Sequence, residues 1–203
     1  MARHSARARR ALAHLADHDP ALAALALWCD HRDGEGATHT RGETIHYGLD
    51  FESLPLHEQV GLAGHHILHV ALRHSPRMAA MAARQGASFD TGQFNIAADA
   101  IVNTSLLAAG HGLPRPAVTL ADLPGIDTES PGGWDVERLY LALQRSVGPA
   151  ERTTGAEGSR DLQPNAGESG EDAAAAWQGR MERALAAGRQ AGRGIGAARG
   201  TLG

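Results

Sequence analysis

The residues best equipped for chemistry lie in Gly64-His65-His66-Ile67-Leu68-His69-Val70-Ala71-Leu72-Arg73-His74. Histidine is the compositional anomaly of this 203-residue chain: there are twelve, and His57, His65, His66, His69 and His74 crowd into one short stretch. His65 and His69 are four positions apart, so a helix sets both imidazoles on one face, where they can share a metal ion. A zinc ion bound this way takes a third protein ligand and a water, and it lowers the pKa of that water to roughly 7. A side chain beside the first ligand can then receive the proton.

This is the spacing of the H-E-x-x-H metal motif, in which the glutamate is that proton acceptor. Here the position holds His66, giving H-H-x-x-H. A neutral imidazole accepts a proton, and its reference pKa of about 6.5 suits a base. A nearby dication disfavours the protonated ring, however, and the ring brings no negative charge. Hydrolysis with His66 as catalytic base therefore stands beside a non-catalytic metal site. Ligation through His66 in place of His65, and a histidine cluster without metal, stay open at this level.

The elements that must position these side chains can be read from periodicity. Pro55 opens a helix over about residues 56–73. With Val60 at 0°, Gly64, Ile67, Leu68 and Ala71 fall between about −20° and about 80°, which is a core stripe. His65 and His69 fall at about 140° and about 180°, off that stripe, and His66 at about 240°, on the outward side. His74 falls at about 320°, which excludes it from the pair while the helix stays regular. Gly64 lets another element approach closely. A second helix, Gln93 to Gly110, is apolar apart from Asn95, Asp99 and Asn103 at i, i+4 and i+8. A carboxylate in so apolar a helix is costly unless paired or bound to metal, so Asp99 is expected to face the histidines as third ligand. A polar stripe satisfied elsewhere is the competing reading. Residues 37–40 and 43–47 flank Arg41-Gly42 and suggest a β-hairpin. Its edge could hold an extended peptide by strand addition, or it is a small structural hairpin.

The other segments are helical or polar. Helices are expected over 6–17, from Asp19-Pro20 through Cys29 with Trp28 in the core, over 76–85 with packing methionines, and over 135–145. Pro114 and Pro116 mark an irregular loop. Residues 147–170 are Gly, Pro, Ser, Thr and acid, too poor in apolar groups to order themselves, and read as a disordered linker. A last helix, about 173–189, carries Trp177, Met181 and Leu185 on one face and docks back on the domain or onto something else. A net charge of −4 gives no general drive toward nucleic acid or an anionic membrane. No apolar run approaches the roughly 18 residues of a spanning helix. The single cysteine, Cys29, reads as a buried small hydrophobe in a reducing, cytoplasmic protein.

From Leu56 to Leu143 the chain resembles the bacterial metallopeptidase domain found before von Willebrand factor A-like domains and often encoded beside MoxR-type AAA+ ATPases. The resemblance rests on Gly64 to His74, on Phe94-Asn95-Ile96-Ala97-Ala98-Asp99-Ala100-Ile101-Val102-Asn103, and on the helix from Trp134 to Leu143. Trp177-Gln178-Gly179-Arg180 is similar to the segment that the family places between its two domains. It implies a zincin-like fold and a metal, zinc, on His65 and His69, with Asp99 as third ligand. It carries no general base across, because this chain departs at His66. The expected organisation is an α+β, mostly α-helical domain over 1–146 with a small hairpin sheet, a linker over 147–170, and a terminal helix and Gly/Arg-rich tail over 171–203. A von Willebrand-like domain does not follow within these residues, so a fragment or a chain that has lost it is expected. Three functions follow: a zinc-dependent peptide hydrolase using His66, a metal-stabilised pseudo-peptidase that binds a peptide or an AAA+ ATPase, or a helical interaction module without metal.

Overall fold

A computed structural model describes residues 5–128, 133–146, 161–165 and 171–198. In chain order the elements are α1 (Arg9–His18), α2 (Pro20–Ala26), β1 (Asp30–Asp33), β2 (His39–Arg41), β3 (Thr44–Tyr47), α3 (Leu49–Ser53), α4 (Leu56–Ala71), α5 (His74–Gln85), α6 (Thr91–Ala108), α7 (Val136–Ser146), β4 (Leu162–Gln163) and α8 (Glu171–Ala191). This is the α+β, mostly helical architecture expected from the sequence.

Local chemistry sets several boundaries. Asp19 caps α2, its carboxylate accepting from the backbone N–H groups of Ala21 and Leu22 at 3.1 and 3.0 Å, with Pro20 in the first turn. Asp90 caps α6 by accepting from Gln93 N–H at 3.0 Å. α4 does not run to residue 73. It stops at Ala71, and Arg73 adopts a left-handed φ of 57° before α5 begins at His74. Pro76 lacks an N–H and fits the first turn of a new helix better than the middle of an old one.

The hairpin forms as expected, β2 and β3 pairing antiparallel around Gly42 at φ 63°. Neither of its strands is an edge here: the free edge expected on this hairpin is already paired, β2 by β4 and β3 by β1. β1 pairs parallel with β3, and β4 pairs parallel with β2, giving the order β1-β3-β2-β4. β1 is a strand that the sequence does not announce, because Asp30-His31-Arg32-Asp33 has almost no strand-forming composition; it is held by register with Thr44 to Tyr47. β4 lies inside the stretch expected to be a disordered linker. The described residues 161–165 are ordered there, and the remainder of 147–170 lies outside the described residues.

The described residues form two apolar clusters, and α6 contributes to both. One joins Leu15, Leu22, Leu25, Phe51, Ile67 and Leu68 with Trp177, Ala184 and Ile195 of the C-terminal region. The other joins Met78, Met81, Phe94, Ile101 and Tyr140 with Leu162 of β4. α8 therefore docks back on the domain, chiefly along α2. Cys29 is buried, as expected. Trp28 is not in the core: it is 50% exposed, because α2 ends at Ala26 and turns the ring outward, where the Arg180 guanidinium stacks 4.1 Å from it. No described helix is long and apolar enough to cross a membrane.

α4 is buried on nearly every side, which is what encloses its polar residues. Close approach requires glycine at two of its positions. A Cβ at Gly64 would meet Leu22 and Leu106 at 3.0 and 3.2 Å, so α2 and α6 do approach there, and a Cβ at Gly61 would lie 1.7 Å from the Gly112 carbonyl oxygen. Backbone cannot yield as a flexible side chain does. Gly61→Ala is expected to destabilise the domain by about 1–3 kcal/mol or more, seen as a lower melting temperature. Gly36→Ala, where a Cβ would meet nothing within 4 Å, should leave it nearly unchanged.

Candidate metal centre

α4 and α6 cross in the buried interior and bring His65, His69 and Asp99 to one point, and the residue before β4 delivers a fourth group, Asp161. One ligand atom from each of the four lies within 4.8 Å of the others. His65 Nε2 stands 2.9 Å from His69 Nε2 and 3.1 Å from Asp161 Oδ2. Asp99 Oδ1 stands 3.3 Å from His69 Nε2 and 3.8 Å from His65 Nε2. A tetrahedral zinc shell with bonds of about 2.0–2.1 Å separates its ligand atoms by about 3.3 Å. The spread from 2.9 to 3.8 Å brackets that edge. Among the described residues, Asp99 Oδ1 and Asp161 Oδ1 are buried without hydrogen-bond partners, which is costly for carboxylate oxygens unless a cation takes the place of a donor. The donor set thus fits a metal ion.

Each ring is oriented from behind. His65 Nδ1 donates to Asn103 Oδ1 at 2.8 Å, and the Asn103 amide donates to the Val118 carbonyl at 2.8 Å. Such an outer partner fixes the tautomer that leaves Nε2 for the metal. The Asn95/Asp99/Asn103 stripe is therefore split in role: Asp99 meets the histidines, Asn103 orients one of them, and Asn95 bonds back to the Thr91 carbonyl. His69 Nδ1 lies 2.9 Å from His74 Nδ1. Here the expectation that His74 is excluded fails. It holds only for a regular helix, and the left-handed Arg73 swings His74 back onto His69. Ser75-Pro76 is the sign in the sequence that one helix ends and another begins nearby.

His66 is not on an outward face but fully buried against the sheet. Its Nδ1 lies 2.9 Å from Thr40 Oγ1 on β2, and its Nε2 has no hydrogen-bond partner among the described residues. Its ring centroid is 5.1 Å from that of His65 and 6.2 Å from that of His69. Sequence reasoning misses Asp161 because it sits in a stretch of linker composition; its one signal is an acid directly before an isolated leucine, Leu162.

Burial, then neighbouring charge, sets the protonation of the metal-free cluster. Burial alone would depress His65, but the hydrogen bond to Asp161 and its charge, with Asp99 and Asn103, outweigh it and push the ring up to about 9. Burial and then the His65 charge push His69 down to about 3 and hold His66 well below the usual imidazole value. His74 is held low by burial and then by His69. Burial and then Asp161 raise Asp99 well above the carboxylate range. Asp161 is lowered: burial opposes this, and the hydrogen bond and charge of His65 overcome it. Without metal, protons on His65 and Asp99 supply the compensation that a cation would otherwise give.

Comparison with known proteins agrees in kind. The family described as "Putative metallopeptidase domain" matches residues 3–202. No curated protein and no solved structure matches the chain.

Metal and proton compete for the same nitrogen. Metal uptake at pH 7 is expected to release at least one proton, because His65 is protonated below about 9 and must lose that proton to bind. Apparent affinity should rise by about tenfold or more per pH unit up to about 9 and flatten above it, as read by titration calorimetry in buffers of different ionisation enthalpy. Asn103→Ala should weaken metal binding by about 10–100-fold with little loss of folded protein, as read by competition with a chelator.

Proposed function

Since the chain belongs to the "Putative metallopeptidase domain" family, we propose that it is a zinc-binding domain of metallopeptidase type, with His65, His69 and Asp99 as ligands and His66 as proton acceptor in peptide hydrolysis. The observation carrying this reading is the convergence of two imidazoles and buried, hydrogen-bond-free carboxylate oxygens on one point. Imidazole and carboxylate together suit zinc. A bound zinc ion supplies a Lewis acid and a water of pKa roughly 7.

The chain's own residues do the remainder. α4 and α6 hold the donors rigidly, and Asn103 and His74 aim the two rings. With Nδ1–H donating to Thr40 Oγ1, His66 keeps the Nε2 lone pair free to take a proton. Burial among charged neighbours makes it a weak base, so turnover is slow compared with a carboxylate base.

That weak base favours a second reading: a metal-stabilised pseudo-peptidase that binds a peptide or a MoxR-type AAA+ ATPase and cleaves nothing. The two separate cleanly. In the hydrolase, His66→Ala abolishes slow cleavage of a fluorogenic peptide library while zinc content stays at one equivalent, and His66→Glu raises it. In the pseudo-peptidase, wild type and both variants are alike in every cleavage assay, and His65→Ala alone loses metal.

A further inference from the structure

The Asp161 carboxylate does not come from a helix. It comes from the residue directly before β4, whose Leu162 and Gln163 pair with β2. Thr40 N–H donates to the Asp161 carbonyl, Thr40 and Arg41 are in parallel register with Leu162 and Gln163, and Asn165 N–H donates to the Ser75 carbonyl at 3.3 Å. Leu162 anchors the stretch at 2% exposure, among Met78, Met81 and Phe94. These are the contacts by which an extended peptide adds to a sheet: backbone bonds along the strand, and a pocket for an alternate side chain.

A catalytic zinc site keeps three protein ligands and an open fourth position, whereas a closed shell of four is a structural site. Here the three donors on α4 and α6 are built into long buried helices. The fourth is held by a two-residue strand. Asp161 Oδ2 lies 3.1 Å from His65 Nε2, within the same donor group as His69 and Asp99. A 660 Å³ cavity among the described residues, between α8 and the ends of α4 to α6, is lined by His74 but by none of the four donors.

We propose that residues 161–165 are an internal competitor of the peptide site. They fill the strand slot on β2 and close the fourth metal position with Asp161, so that the centre binds metal in a shut state and opens when this stretch leaves β2. The stretch presents a side-chain carboxylate, not a peptide bond, to the metal donors, so it occupies the site without being a substrate. This proposal rests on the metal-binding reading above.

The test uses the full chain with Co²⁺ as metal and acetohydroxamate, a small bidentate metal ligand, as probe of an open position, read by the visible spectrum of the Co²⁺ protein. Wild type should take up one equivalent of Co²⁺ and show little spectral change with millimolar acetohydroxamate. Asp161→Ala should still bind Co²⁺ and respond to acetohydroxamate at a concentration at least tenfold lower. Leu162→Asp, which evicts the anchor and the carboxylate with it, should respond likewise. If Leu162→Asp fails to fold by circular dichroism, Asp161→Ala decides alone. The proposal is overturned if wild type responds as readily as Asp161→Ala, or if folded Asp161→Ala loses Co²⁺ affinity more than a thousandfold, since Asp161 is then an obligatory structural ligand. Failure of every form, wild type included, to take up Co²⁺ overturns the metal reading itself.

Discussion

Two carboxylates buried within a few ångströms of each other cannot both stay ionised without positive charge between them. That constraint, set by Asp99 on α6 and Asp161 before β4, governs the interior of this protein. The fold answers it with His65 and His69. Protons suffice when metal is absent, with one on His65 and one on Asp99. A dication would satisfy all four groups at once, including Asp99 Oδ1, which has no hydrogen-bond partner among the described residues. The surrounding architecture serves this point. α4 is buried on nearly all sides, and glycines at 61 and 64 let its neighbours close in.

The outer partners show how an unusual sequence keeps an ordinary geometry. In metal sites a ligating histidine is normally steadied through its other nitrogen. His65 has Asn103 for this, from the same α6 stripe that carries Asp99. His69 has another imidazole, His74, reached only because the chain breaks helix at Arg73. His66, in the place of the motif's glutamate, is turned to Thr40 and so links α4 to β2, the strand with which β4 pairs. The substituted residue, the strand and the Asp161 carboxylate are thus one connected assembly.

Much of this is legible in the sequence. The helices that carry His65, His69 and Asp99 follow from i, i+4 periodicity, and the hairpin follows from Arg41-Gly42. What cannot be read there is whatever depends on irregular backbone or on pairing between distant segments. Regular helical geometry excludes His74, and Arg73 breaks that geometry. β4 reads as linker because local composition cannot register that Leu162 finds a pocket made by α5 and α6. β1 forms through its register with β3 and not through its own propensity. Trp28 reads as core only if its helix is carried two residues past its true end.

The central claim is that these four side chains form one metal centre. Zinc X-ray absorption on protein purified without chelator tests it most directly. About one equivalent of zinc is expected, with two imidazole nitrogens and two carboxylate oxygens at about 2.0–2.2 Å. Protein that folds with far less than one equivalent, and takes up none on addition, would contradict it, as would a shell containing sulfur or no imidazole.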